Sequence, residues 1–463
     1  MKSQMKSQMN SRASSQKTGL QADKVSSSAA ESSAVQSAKL ARAASRKLAL
    51  LSERTRNAVL ETAAARLEEN GERILRANAE DVRAAEELVR NGKMSEAMLA
   101  RLRLSKKSVR EMAEKVRGVA NLPDPLGRRL AVTELDEGLV LTRETCPLGV
   151  VAVLFESRPD VVPQVASLAL KSGNAILLKG GAEAARTNEV LFSIWRDGLE
   201  ESGEVPAGAA QMLHSRADVM DLLSLERYVD LLIPRGGKVL VESISRQSRI
   251  PVLGHGEGIC HVYVHSAADL EKAQRIVIDA KTDYPAACNS AETLLVDAMV
   301  ADRFLPMIVT KLLASGVEVR GCQRTLQVAK SLAVKAAAYE DWATEYGDLI
   351  LSVKVVDGLD AAIAHIHEFG SGHTEAIITE DAGAAEVFMN EVDAAGVFHN
   401  ASTRFADGYR YGLGAEVGIS NGKLHARGPM GMEGLTTYKY KLRGSGQTVA
   451  EYKSGKKFTH RQL

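Results

Sequence analysis

Between residues 149 and 233 short apolar runs alternate with amphipathic ones, and this alternation constrains the fold more than any other feature. Residues 149–155 read as a buried strand, 161–171 as a helix and 175–178 as a second strand. Residues 182–202 carry a helical period, and 210–213 and 231–233 are further strands. Parallel strands need a crossover connection, usually a helix, so the pattern predicts an α/β protein with a doubly wound parallel sheet. On such sheets ligands bind outside the carboxyl ends of the strands. Three loops stand there: Glu156-Ser-Arg-Pro-Asp160, Lys179-Gly-Gly-Ala182 and Pro234-Arg-Gly-Gly-Lys238.

The flanking segments follow from the same kind of reading. Residues 1–36 are rich in Ser, Gln, Lys and Ala without an apolar period, so they are expected to be disordered. No acidic residue precedes Asp23, whereas Lys2, Lys6, Arg12 and Lys17 are basic. That is a faint organellar-targeting signal set against a plain solvated extension, and a cytoplasmic location is the expectation. Helices follow from Ser37, with Ser52 and Ser105 as N-caps and Asn70-Gly71 and Asn91-Gly92 as stops. Alternation over residues 130–145, with a turn at Asp136-Glu-Gly138, predicts an antiparallel strand pair that a homo-oligomer could use. Residues 252–264 cross into a second α/β unit. The expected layout is a cofactor domain at 37–263, a catalytic domain at 264–396, a returning segment at 397–445 and a flexible basic tail at 446–463.

Composition removes several function classes. Aromatic residues make up only 4% of the chain against 45% hydrophobic residues, which favours an α/β enzyme core over an aromatic-rich binding module. Lys plus Arg (59) nearly balance Asp plus Glu (58), so no global field calls for a nucleic-acid partner. Cys146, Cys260, Cys288 and Cys322 are dispersed, which opposes both a disulfide framework and a zinc knuckle. No apolar run approaches the ~20 residues of a membrane span.

Cys288 stands out among the four. Pro285 stops the preceding helix, so Cys288 is expected on a tight loop before the strand at 293–296. A cysteine can be a small buried hydrophobe or a nucleophile, and the polar flank and loop position favour the nucleophile. Lys179-Gly180-Gly181 and Arg235-Gly236-Gly237 each follow a strand and open a helix. Glycines admit a phosphate to the backbone and the cation meets its charge, so two such loops on one sheet point to a phosphorylated cofactor. Neither the G-x-G-x-x-G fingerprint nor a P-loop is present. His365, His367 and His373 cluster without an H-E-x-x-H pattern and are read as helix-end histidines, with no metal site expected. The stretch His399-Asn-Ala-Ser-Thr-Arg-Phe405, continued by Gly412-Leu-Gly-Ala-Glu416 and His425-Ala-Arg-Gly-Pro-Met-Gly431, suits either an exposed Gly-rich loop or a pocket gripping carboxylate or phosphate. Arg404 and Arg427 favour the pocket.

Together these stretches closely resemble the gamma-glutamyl phosphate reductases, also called glutamate-5-semialdehyde dehydrogenases, of the aldehyde dehydrogenase superfamily. The resemblance is carried by Pro147-Leu-Gly-Val, Phe155-Glu-Ser-Arg-Pro, Leu170-Lys-Ser-Gly-Asn-Ala, Pro251-Val-Leu-Gly-His-Gly, Cys288-Asn-Ser-Ala-Glu-Thr-Leu-Leu, Asn400-Ala-Ser-Thr-Arg-Phe and His425-Ala-Arg-Gly-Pro-Met-Gly. Phe155, Asp160 and His399-Asn-Ala-Ser-Thr look more like the reductase half of the fused pyrroline-5-carboxylate synthases. The resemblance implies NADPH-dependent reduction of L-glutamyl 5-phosphate to glutamate 5-semialdehyde, a small-molecule reaction of proline biosynthesis, with Cys288 as nucleophile. It implies that Lys179, Gly180, Gly181, Arg235, Gly236, Gly237 and Glu345 hold NADPH. Arg158, Asn400, Ser402, Thr403, Arg404 and Arg427 would hold the substrate. Leu253 stands near the place where hydrolytic relatives carry a carboxylate base. A CoA-acylating aldehyde dehydrogenase and a catalytically silent scaffold are the alternatives.

Overall fold

The computed structural model describes residues 32–254 and 256–463. Disorder was expected for residues 1–36; residues 1–31 lie outside the described residues, and 32–36 turn out to be structured. Helix α1 (Ser33–Leu48) begins there, with Ala34, Ala38 and Ala41 fully buried and the Ser33 hydroxyl donating to Asp218. Alanines at helical spacing, with Leu48, form its buried stripe. Helices α2 (Glu53–Glu69), α3 (Gly71–Arg90), α4 (Glu96–Leu102) and α5 (Lys106–Asn121) follow. The Ser52 and Ser105 hydroxyls cap α2 and α5 as the sequence requires.

The strand pair β1 (Arg129–Asp136) and β2 (Leu139–Pro147) is antiparallel. The first parallel sheet comes next, with β3 (Val150–Phe155), α6 (Val161–Lys171), β4 (Ala175–Gly180), α7 (Ala185–Glu201), β5 (Ala210–Met212), α8 (Arg216–Leu222), β6 (Leu231–Arg235) and α9 (Lys238–Gln247). Its order is β5-β4-β3-β6, so the winding reverses between β3 and β6, and the three loops named above all open beside that switch. Residues of β3 and α6 are buried almost throughout, as a sheet covered on both faces demands.

The second sheet holds seven parallel strands in the order β10-β9-β11-β8-β7-β12-β13. Its elements are β7 (Cys260–Val264), α10 (Leu270–Thr282), β8 (Ala291–Asp297), α11 (Ala298–Ala314), β9 (Glu318–Gly321), α12 (Gln323–Val328), β10 (Val334–Ala336), β11 (Ile350–Val356), α13 (Leu359–Phe369), β12 (Thr374–Ile378), α14 (Ala382–Glu391) and β13 (Gly396–His399). The expected boundary after residue 263 falls too late. Val252 still bridges the first sheet at Leu232, whereas Cys260 already pairs with Ala291, so the crossing lies between them.

The chain then returns. Ala415, Val417, Met430, Met432 and Leu435 pack into the core of the first sheet, around β14 (Gly418–Ser420) and β15 (Gly428–Met430). Strand β16 (Thr436–Arg443) pairs with β2. The expected flexible tail instead forms α15 (Val449–Lys453) and β17 (Arg461–Gln462), which pairs with β1 to complete a four-stranded antiparallel sheet. Its anchors are polar: Tyr452 and Lys456 reach Asp136 at 2.8 and 2.5 Å. No described helix is long and apolar enough to cross a membrane.

Candidate active site

Cys288 sits on the loop between α10 and β8, as the position of Pro285 predicts, and is half-buried. That loop is fastened from several sides. Asp283 accepts from Arg404 at 3.0 Å and from Arg410 at 3.3 Å. The Asn289 amide donates to the carbonyl of Ala406 at 2.8 Å. The Cys260 thiol donates to the Cys288 carbonyl at 3.3 Å. Gly258 presses on the same peptide so closely that a Cβ there would lie 1.9 Å from the Cys288 oxygen. Glycine is obligatory at that contact.

The loops of the first sheet supply charge and backbone donors. Ser157, buried and at φ 47°, donates both its N–H (2.5 Å) and its hydroxyl (3.0 Å) to Glu183. A left-handed serine is strained, and a carboxylate contact of this kind is what holds it. Gly180 and Gly236 lie at the strand ends against flexible side-chain tips. An added Cβ would meet Asn188 at 2.1 Å or Glu156 at 2.5 Å. Lys179 donates to the Gly180 carbonyl at 2.6 Å, and burial draws its pKa down, offset by Glu183. Arg216, which no motif in the chain marks, is the next cation in its field.

Arg235 was expected among the cofactor residues. The structure directs its guanidinium to the carbonyl of Val417, with Arg158, Glu416, Asp160 and Cys288 within electrostatic reach. Burial and then the like charge of Arg158 both lower its pKa. Arg158 and Arg235 thus set two guanidiniums against each other, with the carboxylates of Glu416 and Asp160 offsetting them.

Glu345 lies in the loop before β11, half-buried, and the amide of Gly347 in the same loop donates to Glu292 at 3.3 Å. Arg404 is brought to the Cys288 loop, but as a clamp on Asp283. Its flanking residues are structural too. The Asn400 side chain closes on the backbone of Thr379, at 3.0 Å to N and 2.9 Å to O. Ser402 caps the turn at Arg404, and the Thr403 hydroxyl is buried without a partner. Arg427 pairs with Asp393 at 2.9 Å and lines a cavity of about 450 Å³ shared with Arg128, His425 and Glu433. Leu253 belongs to the first core with 1% exposure. Among the described residues no group of three or more His, Cys, Asp or Glu side chains could hold a metal ion. His365 is buried beside Lys354 and Phe369, and burial pushes its pKa down to about 3.

Comparison with known proteins bears on this arrangement. The aldehyde dehydrogenase family model matches residues 4–320. The gamma-glutamyl phosphate reductase of Synechococcus sp. (strain JA-3-3Ab) is 54% identical over 435 residues, covering 94% of this chain and 95% of the relative. The chain belongs to the gamma-glutamyl phosphate reductase family. Another relative of that name, from Haloquadratum walsbyi, is 51% identical over 430 residues, covering 91% of this chain and 94% of its own. The crystal structure of the Thermotoga maritima gamma-glutamyl phosphate reductase superposes with a TM-score of 0.86 at 40% identity, covering 90% of this chain and 100% of that one. An acetylating aldehyde dehydrogenase from Geobacillus thermoglucosidasius, at 20% identity and a TM-score of 0.61, shares the fold (90% and 97% covered). For a member of the gamma-glutamyl phosphate reductase family, the α/β architecture and the oxidoreductase class expected from the sequence both hold.

Proposed function

We propose that this enzyme converts L-glutamyl 5-phosphate to L-glutamate 5-semialdehyde and phosphate, with NADPH as reductant and Cys288 as nucleophile. The observation that carries the reading is the placement of Cys288: a half-buried thiol on a loop fastened by Asn289, Cys260 and Asp283, within electrostatic reach of Arg235. The Cys288 thiolate attacks the acyl carbon, the carbon–oxygen bond to phosphate breaks, and phosphate leaves with the electron pair. Arg158 and Arg235 neutralise the departing charge, and a backbone N–H of the Cys288 loop holds the oxyanion. The Cys288 thioester is then reduced at its carbonyl carbon. The resulting thiohemiacetal gives up its proton and expels the thiolate, releasing the aldehyde.

Lys179, Gly180, Gly181, Gly236, Gly237 and Glu345 fit a dinucleotide. Gly236 and Gly237 leave backbone exposed at the end of β6, and Lys179 with Arg216 supplies positive charge for a phosphate. Bound there, NADPH supplies the hydride. A homo-oligomer belongs to the same proposal, supported by the edge strand β16, whose Tyr438, Tyr440 and Leu442 are exposed. A cytoplasmic location rests on four free cysteines. The testing experiment is NADP⁺ reduction with L-glutamate 5-semialdehyde, with and without phosphate or CoA. Turnover that needs phosphate supports the proposal. Turnover with water alone, or only with CoA, contradicts it.

A further inference from the structure

Lys281 closes α10 and Glu292 lies at the start of β8, so the two residues flank the loop that carries Cys288. Lys281 Nζ and Glu292 Oε2 are 2.7 Å apart, and both side chains are 0% exposed. Dehydrating two ions is costly, and an apolar pair of similar volume is often as stable, so stability alone is a weak account of a pair this deep. The free end of Glu292 offers another account. Its Oε1 accepts the Gly347 N–H at 3.3 Å, and the Lys281 ammonium lies 6.0 Å from the centre of the Tyr346 ring. Tyr346 is fixed in turn through its hydroxyl, at 2.9 Å from Asp341 and 2.7 Å from Ser352. One ion pair therefore joins both stems of the nucleophile loop to the Glu345-Tyr-Gly loop.

We propose that the Lys281–Glu292 pair is a positioning device that keeps the Cys288 loop in register with the Glu345 loop, so that nucleophile and cofactor contact are held as one body. This rests on the reading of Glu345 as a cofactor contact. Neither residue is placed at the reacting atoms; both act through the loop stems and Gly347. The pair is poised as well as buried. Burial pushes Glu292 up to about 7 against the opposing pull of Lys281, with Glu345 as a further acidic neighbour, and lowers Lys281, which faces Glu292, Asp348 and Cys260.

The test measures coupling between cofactor and thiol in the full chain. Alkylation of Cys288 by iodoacetamide is followed by peptide mass spectrometry with and without saturating NADP⁺, for wild type, Glu292→Gln, Glu292→Asp and the neutral pair Lys281→Met/Glu292→Leu. In wild type NADP⁺ should change the alkylation rate by about fivefold or more. Glu292→Gln should lose part of that effect, because its single amide oxygen replaces only one of the two acceptors and its NH2 group faces the other donor. Glu292→Asp is too short to span Lys281 and Gly347, and it should lose most of the effect while NADP⁺ affinity changes by less than about threefold. The apolar pair should behave likewise, and Glu292→Asp decides alone if that pair fails to fold. An unchanged NADP⁺ effect in Glu292→Asp, or none in wild type, overturns the proposal. Coupling in a wild type that does not turn over glutamate 5-semialdehyde would instead overturn the functional reading and leave the positioning role standing.

Discussion

Gly258→Ala perturbs the nucleophile without touching a charge. The new Cβ would lie 1.9 Å from the Cys288 carbonyl oxygen, 2.6 Å from its carbon and 2.7 Å from its Cα. Real Cβ contacts essentially never fall below 3.0 Å, and all three atoms are backbone, which cannot rotate away. The Cys288 peptide must therefore retreat by about 1 Å or more. A reacting atom displaced that far costs on the order of 100-fold in rate, because attack requires contacts of about 3–3.5 Å. Overpacking of this kind costs about 1–3 kcal/mol in stability, which a domain with two large cores should survive. The assay is phosphate-dependent NADP⁺ reduction, normalised to Cys288 alkylation and read beside a thermal melt. A folded Gly258→Ala enzyme keeping more than about a third of wild-type kcat would show that the peptide contact does not set the sulfur's position.

Three further outcomes are expected. Lys179→Ala should raise KM for NADPH by about tenfold or more while leaving NADH nearly unaffected, since a charge-assisted contact to the 2′-phosphate is worth about 1.5–3 kcal/mol; equal effects would remove the lysine from that role. Because the folded chain holds a proton on Glu292 that the unfolded chain releases between pH 4.5 and about 7, this group's contribution to stability falls as pH rises through that window. Glu292→Gln should flatten that part of the Tm–pH curve, and an unaltered slope would place the titration elsewhere. A chain starting at Ser32 should keep wild-type turnover and Tm, whereas one starting at Ser37 should melt lower, having lost buried Ala34 and the Ser33–Asp218 bond; identical melts would show that this turn of α1 contributes nothing.

Much of this structure could be read from the chain because its signals are local. The alternation over 149–233 reports sheet burial directly, and Pro285 with a polar flank places Cys288 on a loop. What could not be read depends on partners distant in sequence. Arg404 looks like a ligand-gripping arginine, yet its carboxylate partner Asp283 stands 121 residues earlier. Asn400 and Arg427 are likewise occupied by Thr379 and Asp393. Arg235 follows a glycine-loop pattern, but its direction depends on Val417, delivered by the returning segment. The tail and the first turn of α1 are not legible in the sequence, because β17 pairs over only two residues and Ser33 finds its partner Asp218 185 residues away.

The covalent intermediate is the most direct test. Incubating the enzyme with L-glutamate 5-semialdehyde and NADP⁺ in phosphate-free buffer, followed by rapid acid quenching and intact-protein mass spectrometry, should reveal one added glutamyl group. Digestion should place it on the peptide bearing Cys288, and phosphate added before the quench should discharge it. An adduct on Cys146, Cys260 or Cys322, or steady NADPH formation without any adduct or phosphate, would contradict the assignment of Cys288 as the acyl carrier.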